Sequence, residues 1–241
     1  MFDKHAFHER TIELSEHEMR RPDRPDSFTL EGREWDLLPE VFPPVFRPST
    51  RVSLDYLGLL DGGTFAWSSL LEIGCGAGVV ATTAALQGCS RVHATDINPY
   101  AVENARRNAE RHGVSDRVQV SQGDLFSDID SSERFDLVFW NSNFIWAPED
   151  YAISAVHEYA YLDPGYQAHR RFLEEAPRWT TESGSVHLLF SSSKGDFPEV
   201  GRLAEETGRE IEVIRRETVV DGSDMAESEF LLIDVRDPGR R

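Results

Sequence analysis

The chain has 241 residues, 39% of them hydrophobic, and a formal net charge of −18. That is enough for one large α/β domain or one domain with an appendage, and so negative a field repels polyanions, which argues against DNA or RNA as the main substrate. The sequence has no apolar run of transmembrane length, no apolar secretory stretch in its charged N-terminus, no disulfide framework in Cys75 and Cys89, and no His/Cys cluster at metal-ligand spacing; a cytoplasmic protein with no membrane partner and no metal is expected.

Residues 1–26 read as a polar helix stopped by Pro22 and Pro25. "FTLEGREWDLL" reads as two short strands around Glu31-Gly32. "PEVFPPVFRPST" carries four prolines and is extended, with Thr50 placed to cap the helix "RVSLDYLGLL". Residues 1–60 thus form a helical and hairpin extension with a loop covering the ligand, and 61–241 the catalytic domain. From there strand and helix alternate. "SLLEI" is a buried strand and "GVVATTAALQG" a helix, then "RVHAT" a strand and "PYAVENARRNAERHG" a helix with Pro99 in its first turn. Arg106, Arg107 and Arg111 on that helix read as a solvated face. Strands "RVQVSQ" and "FDLVFW" follow, then helix "YQAHRRFLEEAPRW", strand "SVHLLFSS", helix "FPEVGRLAEETG" and a closing hairpin of "EIEVIRRETVV" with "EFLLIDVR". Such alternation predicts a mainly parallel sheet covered on both faces, with ligands at the carboxyl ends of its strands. Nothing in the sequence sets an oligomeric state.

"LLEIGCGAGVV" sets Gly74, Gly76 and Gly78 between a strand and a helix, where glycine lets the backbone turn left-handed and approach a ligand. Asp96 ends the next strand, where a carboxylate can hold both hydroxyls of a ribose. A dinucleotide loop needs a third glycine at position 79; Val79 stands there. Glu72 just before the loop disfavours a pyrophosphate and suits a cation. S-adenosylmethionine carries a sulfonium and an ammonium group.

On these residues the chain resembles the class I S-adenosylmethionine-dependent methyltransferases. "LEIGCGAG" is similar to their first motif, "ATDINPYAVENARRNA" to the second, "QGDLF" to the third, and "FDLVFWNSNF" lies at the fourth. The resemblance implies a Rossmann-like α/β fold, a mostly parallel seven-stranded sheet flanked by helices with a C-terminal antiparallel hairpin. It also implies S-adenosylmethionine as donor and S-adenosylhomocysteine as product. Carried over residue by residue, Glu72, Gly74, Cys75, Gly76 and Gly78 would form the donor loop, with Cys75 as a small filler. Asp96 would hold the ribose, and Ile97 would pack on the adenine beside Asn98. Asp124 would meet the adenine amino group, and Leu125 would offer a backbone N–H. Within the superfamily the chain is most similar to the release-factor glutamine methyltransferases, whose fourth motif is Asn-Pro-Pro-Tyr. Here it reads Asn141-Ser142-Asn143-Phe144, so both prolines are gone. "LLPEVFPPVFRPST" resembles that group's loop before the donor site, so Pro48, Ser49 and Thr50 would face the ligand. "YLDPGYQAHRRFL" resembles the segment preceding its next helix.

An amide nitrogen is a poor nucleophile; the Asn141 carbonyl, with the next backbone carbonyl, could accept its N–H bonds and aim the lone pair, while Phe144 stacks on a planar acceptor. Ser142, Asn143, Trp146 and Tyr166 are candidate acceptor contacts, and His157 and His169 candidate bases if the acceptor is a hydroxyl. The long Ile145–Tyr166 connector reads as a lid, with aromatics that line the acceptor or pack a lid helix. The expected activity is methyl transfer to a nitrogen or oxygen of a small molecule in specialised metabolism. The alternatives are a protein amide or amine, a donor-binding protein without catalysis, and, from the glycine loop alone, a nicotinamide oxidoreductase.

Overall fold

The structure is a computed structural model describing residues 4–60, 63–221 and 226–239. Helix α1 (Lys4–Arg20) leads into the hairpin of β1 (Ser27–Leu30) and β2 (Arg33–Asp36), which turns at Glu31 and Gly32, both with positive φ. A proline-rich loop then reaches α2 (Ser49–Tyr56). Thr50 does not cap this helix. Pro48 is already helical (φ −77°, ψ −15°) and its carbonyl accepts the Val52 N–H, so the helix starts ahead of Thr50 and no side chain caps it.

Strands β3 (Ser69–Ile73), β4 (Arg91–Asp96), β5 (Val118–Gln122) and β6 (Phe135–Asn141) alternate with α3 (Val79–Leu86) and α4 (Pro99–Arg111). The chain continues through β7 (Ile145–Ala147), β8 (Leu162–Pro164), α5 (Gln167–Glu175), β9 (Thr180–Ser191), α6 (Phe197–Glu206), β10 (Glu210–Asp221) and β11 (Ala226–Arg236). The main sheet has seven strands in the order β10-β11-β9-β6-β3-β4-β5. The five from β5 to β9 are parallel; β11 runs against them, and β10, antiparallel to β11, runs with them again. The strand order reverses around β3, which pairs with β4 on one side and β6 on the other. Such a switch point opens a crevice at the strand ends. This is the Rossmann-like architecture with a C-terminal hairpin that the sequence implied.

Strand β3 is buried along its whole length and β6 nearly so, as continuous apolar runs demand between two helical layers. One core cluster joins α2, α3 and α4 to one face, the other joins α5 and α6 to the opposite face. Two buried asparagines of α4 dock the hairpin beside the crevice. Asn104 Oδ1 accepts the Leu38 N–H and Asn108 Oδ1 the Asp36 N–H, both at 2.8 Å, while Asn108 Nδ2 donates to the Ala77 carbonyl of the glycine loop.

The connector 145–166 holds no α-helix. β7 and β8 pair in parallel, Ile145 with Leu162 and Ala147 with Pro164, around a 3-10 turn at Val156–Ala160. Among the described residues no helix is long and apolar enough to cross a membrane, and no cluster of three metal-ligating side chains occurs.

Gly78 caps α3 with φ +74°, and a Cβ there would lie 2.7 Å from the Ala105 Cβ. Both the backbone angle and the packing of α3 on α4 therefore require glycine. Gly78→Ala is expected to cost about 1–3 kcal/mol, read as a melting temperature lower by several degrees in circular dichroism.

Candidate active site

One cavity of about 640 Å³ opens at the carboxyl ends of β3, β4 and β6. Its floor is the turn after β3. Gly74 and Gly76 have φ of +63° and +54°, and a Cβ on Gly74 would press within 3.2 Å of Trp140 Nε1. The turn is held from the neighbouring strand. Asp96 accepts the N–H of Gly76 and of Asn98, each at 2.9 Å, and Cys75 donates its N–H to the Thr95 carbonyl.

Two carboxylates meet in this floor. Glu72 is buried, and burial pushes its pKa well above the usual range against the single N–H of Ala81; the charge of Asp96 adds to the rise. Asp96 is partly open to the cavity, yet desolvation raises it to about 6 despite the three backbone N–H groups of Asn98, Gly76 and Ile97. These are groups whose charged forms a cation and ribose hydroxyls would relieve. The same burial, with Asp96 and Glu72 nearby, raises the Cys75 thiol well above its ordinary value, so it is no thiolate nucleophile.

Of the residues singled out in the sequence, Pro48, Ser49, Thr50, Glu72, Gly74, Cys75, Gly76, Asp96, Ile97, Asn98, Asp124 and Leu125 line the cavity. So do Asn141, Ser142, Asn143 and Phe144 on its other side. Asp124 pairs with Arg171 of α5 at 2.6 Å, and Leu125 adopts φ +55°. Gly78 lies behind the wall, packed on Ala105.

Four further candidates lie outside it. His157 turns away, its Nδ1 donating to Glu40 Oε2 at 2.8 Å. His169 is fully buried, its Nδ1 on Asp163 Oδ2 at 2.6 Å and its ring 4.8 Å from that of Trp140. Neither imidazole reaches the cavity as a base. Tyr166 is also fully buried and donates its hydroxyl to the Phe144 carbonyl at 2.9 Å. Trp146 packs on the core instead, because period-two alternation along β7 gives the cavity Ile145.

The tip of β6 is set by hydrogen bonds. Ser142 puts both its N–H and its hydroxyl on the Leu189 carbonyl. Asn143 Nδ2 donates to the Leu162 carbonyl at 2.7 Å. Asn141 brings its Nδ2 to 3.5 Å from Ser49 Oγ, a long contact. The opposite wall comes from α1 and the connector. Phe7, Arg10, Thr11 and Leu14 of α1 line it, joined by Tyr151 and Ile153 of the connector. The spacing of Phe7, Thr11 and Leu14 along one helical face was the available signal.

Residues 70–165 match the family model described as a methyltransferase domain. The chain carries a methyltransferase domain over these residues, and its similarities support an S-adenosylmethionine-dependent methyltransferase. It is 28% identical, over 73% of its length and 87% of the relative, to a putative protein N5-glutamine methyltransferase of Methanocaldococcus jannaschii. It is 37% identical to the ribosomal protein L11 methyltransferase of Desulforamulus reducens, over 39% of this chain and 29% of that one, so the match spans under a third of that relative. The fold is similar to that of the N-methyltransferase NodS of Bradyrhizobium japonicum, solved with S-adenosylhomocysteine. The TM-score is 0.56 at 19% identity, covering 95% of this chain and 98% of that one. The methyl donor of this methyltransferase is S-adenosylmethionine.

The raised pKa of Asp96 sets a pH dependence for a ligand that needs its carboxylate. Above about pH 6 the group is ionised and S-adenosylhomocysteine binding is at full strength; below it the proton competes, and affinity falls by up to tenfold per pH unit. Titration calorimetry from pH 5 to 8 checks this, and Asp96→Asn is expected to bind weakly with that dependence removed.

Proposed function

We propose that the methyltransferase transfers a methyl group to a nitrogen or oxygen of a small molecule, with a planar N–H acceptor as the preferred case. The observation that carries the reading is the position of Asn141 at the end of β6, in the wall of the donor cavity. Its Nδ2 lies 3.5 Å from Ser49 Oγ, and in this reading its carbonyl oxygen accepts the N–H of the acceptor. An N–H acceptor needs its lone pair aimed more than it needs a strong base, and positioning of this kind can supply several kcal/mol of the barrier.

The bound donor supplies an electrophilic methyl on its sulfonium. In this reading Glu72 and Asp96 hold the donor's cationic and ribose ends. Ile97 and Leu125 flank the adenine, and Asp124, steadied by Arg171, faces its edge. Pro48, Ser49 and Thr50 cover it from the proline loop. Phe144, wedged against Phe190 and Phe230 with ring centres 6.2 Å away, presents an apolar surface to the acceptor. The α1 face and the Tyr151–Ile153 stretch wall the acceptor end, which favours a small body over a long polymer.

The second reading is methylation of a protein glutamine amide. It is supported by the similarity to the putative glutamine methyltransferase over most of both chains, and it uses the same Asn141 carbonyl. Methyl transfer from radiolabelled donor, offered to glutamine peptides and to small aromatic amides, amines and phenols, separates the two. Labelling of the small compounds alone supports the first; labelling of peptides alone overturns it. With whichever acceptor is labelled, Asn141→Ala is expected to keep S-adenosylhomocysteine affinity and lose turnover by about 10²-fold or more.

A further inference from the structure

His157 and Glu40 lie 117 positions apart and meet at 2.8 Å. His157 sits on the 3-10 turn of the connector, buried, while Val156, Tyr159 and Ala160 of the same turn face the cavity. Glu40 sits in the proline-rich loop. Its backbone carbonyl accepts Asn98 Nδ2 at 2.6 Å, and the Asn98 N–H in turn donates to Asp96. One residue therefore ties the connector to the loop through its side chain, and ties the loop to the strand end carrying Asp96 through its backbone. Glu40 does this with φ +61°, a left-handed conformation unfavourable for a residue with a Cβ. Such strain persists only where surrounding contacts impose it.

We propose that the His157–Glu40 pair is a clasp that retains the methyl donor. Closed, it holds the Val156–Ala160 turn over the pocket; parted, it frees the turn and lets the donor leave. Neither side chain touches the cavity, so both are positioning residues. The inference rests on the donor reading of the site given above, and the experiment separates the two.

S-adenosylhomocysteine is the probe. Calorimetry with the unaltered protein tests the donor reading by itself, and absence of binding would reject that reading. Release is then timed by stopped-flow displacement, using the fluorescence of Trp140, which lines the cavity. His157→Leu removes one half of the clasp. Glu40→Gly removes the other and relieves the backbone strain, so its melting temperature is expected to hold or rise. Each variant should release the probe roughly tenfold faster with little change in association, and the double variant no faster than either alone. Release at the unaltered rate in both variants, or additive effects in the double variant, would overturn the clasp. So would release rates that merely follow the melting temperatures.

Discussion

The carboxylate of Asp96, accepting the N–H groups of Gly76 and Asn98, is the contact on which the site depends. It ties the turn after β3 to the start of α4 across the point where strand order reverses. The turn runs through three left-handed glycines and needs an outside restraint to hold one shape. Asp96 provides it while keeping a partly open carboxylate at the crevice. Desolvation makes that charge costly, as its raised pKa records, and a ligand offering hydroxyls would recover part of the cost.

The acceptor side uses a different means to the same end. Where the glutamine-modifying enzymes restrict the tip of this strand with two prolines, this chain restrains it by contact. Asn143 holds the Leu162 carbonyl, Ile145 donates to the Tyr161 carbonyl, and Tyr166 donates to the Phe144 carbonyl. All three partners lie in the segment that returns from the connector, so the connector's fold and the direction of Asn141 are linked. The buried Asp163–His169 pair anchors that segment, with Asp163 also accepting the Ala168 and His169 N–H groups. This accounts for His169 without any proton transfer.

What could be read in the sequence was local. The glycine spacing, Asp96 at the next strand end, Pro99 opening α4 and the strand-helix alternation each involve residues close in sequence, and the structure assembles them as expected. What could not be read depended on distant partners. His157 looked like a base because nothing near it in sequence marks Glu40, 117 positions earlier, as its partner. Thr50 looked like a cap because Ser/Thr before a periodic run usually is one, but Pro48 already takes up helical geometry. The connector's aromatics suggested a lid helix, yet β7 and β8 form a short parallel clip, which needs a register no single segment encodes. The part of α1 that walls the cavity was hidden by its polar composition, since only a few residues on one face turn inward.

A crystal structure of the protein with S-adenosylhomocysteine tests the central claim most directly. The adenosine is expected between the Gly74–Gly78 turn and Asp96, with both ribose hydroxyls on that carboxylate, and the thioether sulfur facing the Asn141 carbonyl across a gap wide enough for a methyl group. Adenosine density away from Asp96, or an Asn141 side chain turned from the sulfur, would contradict it.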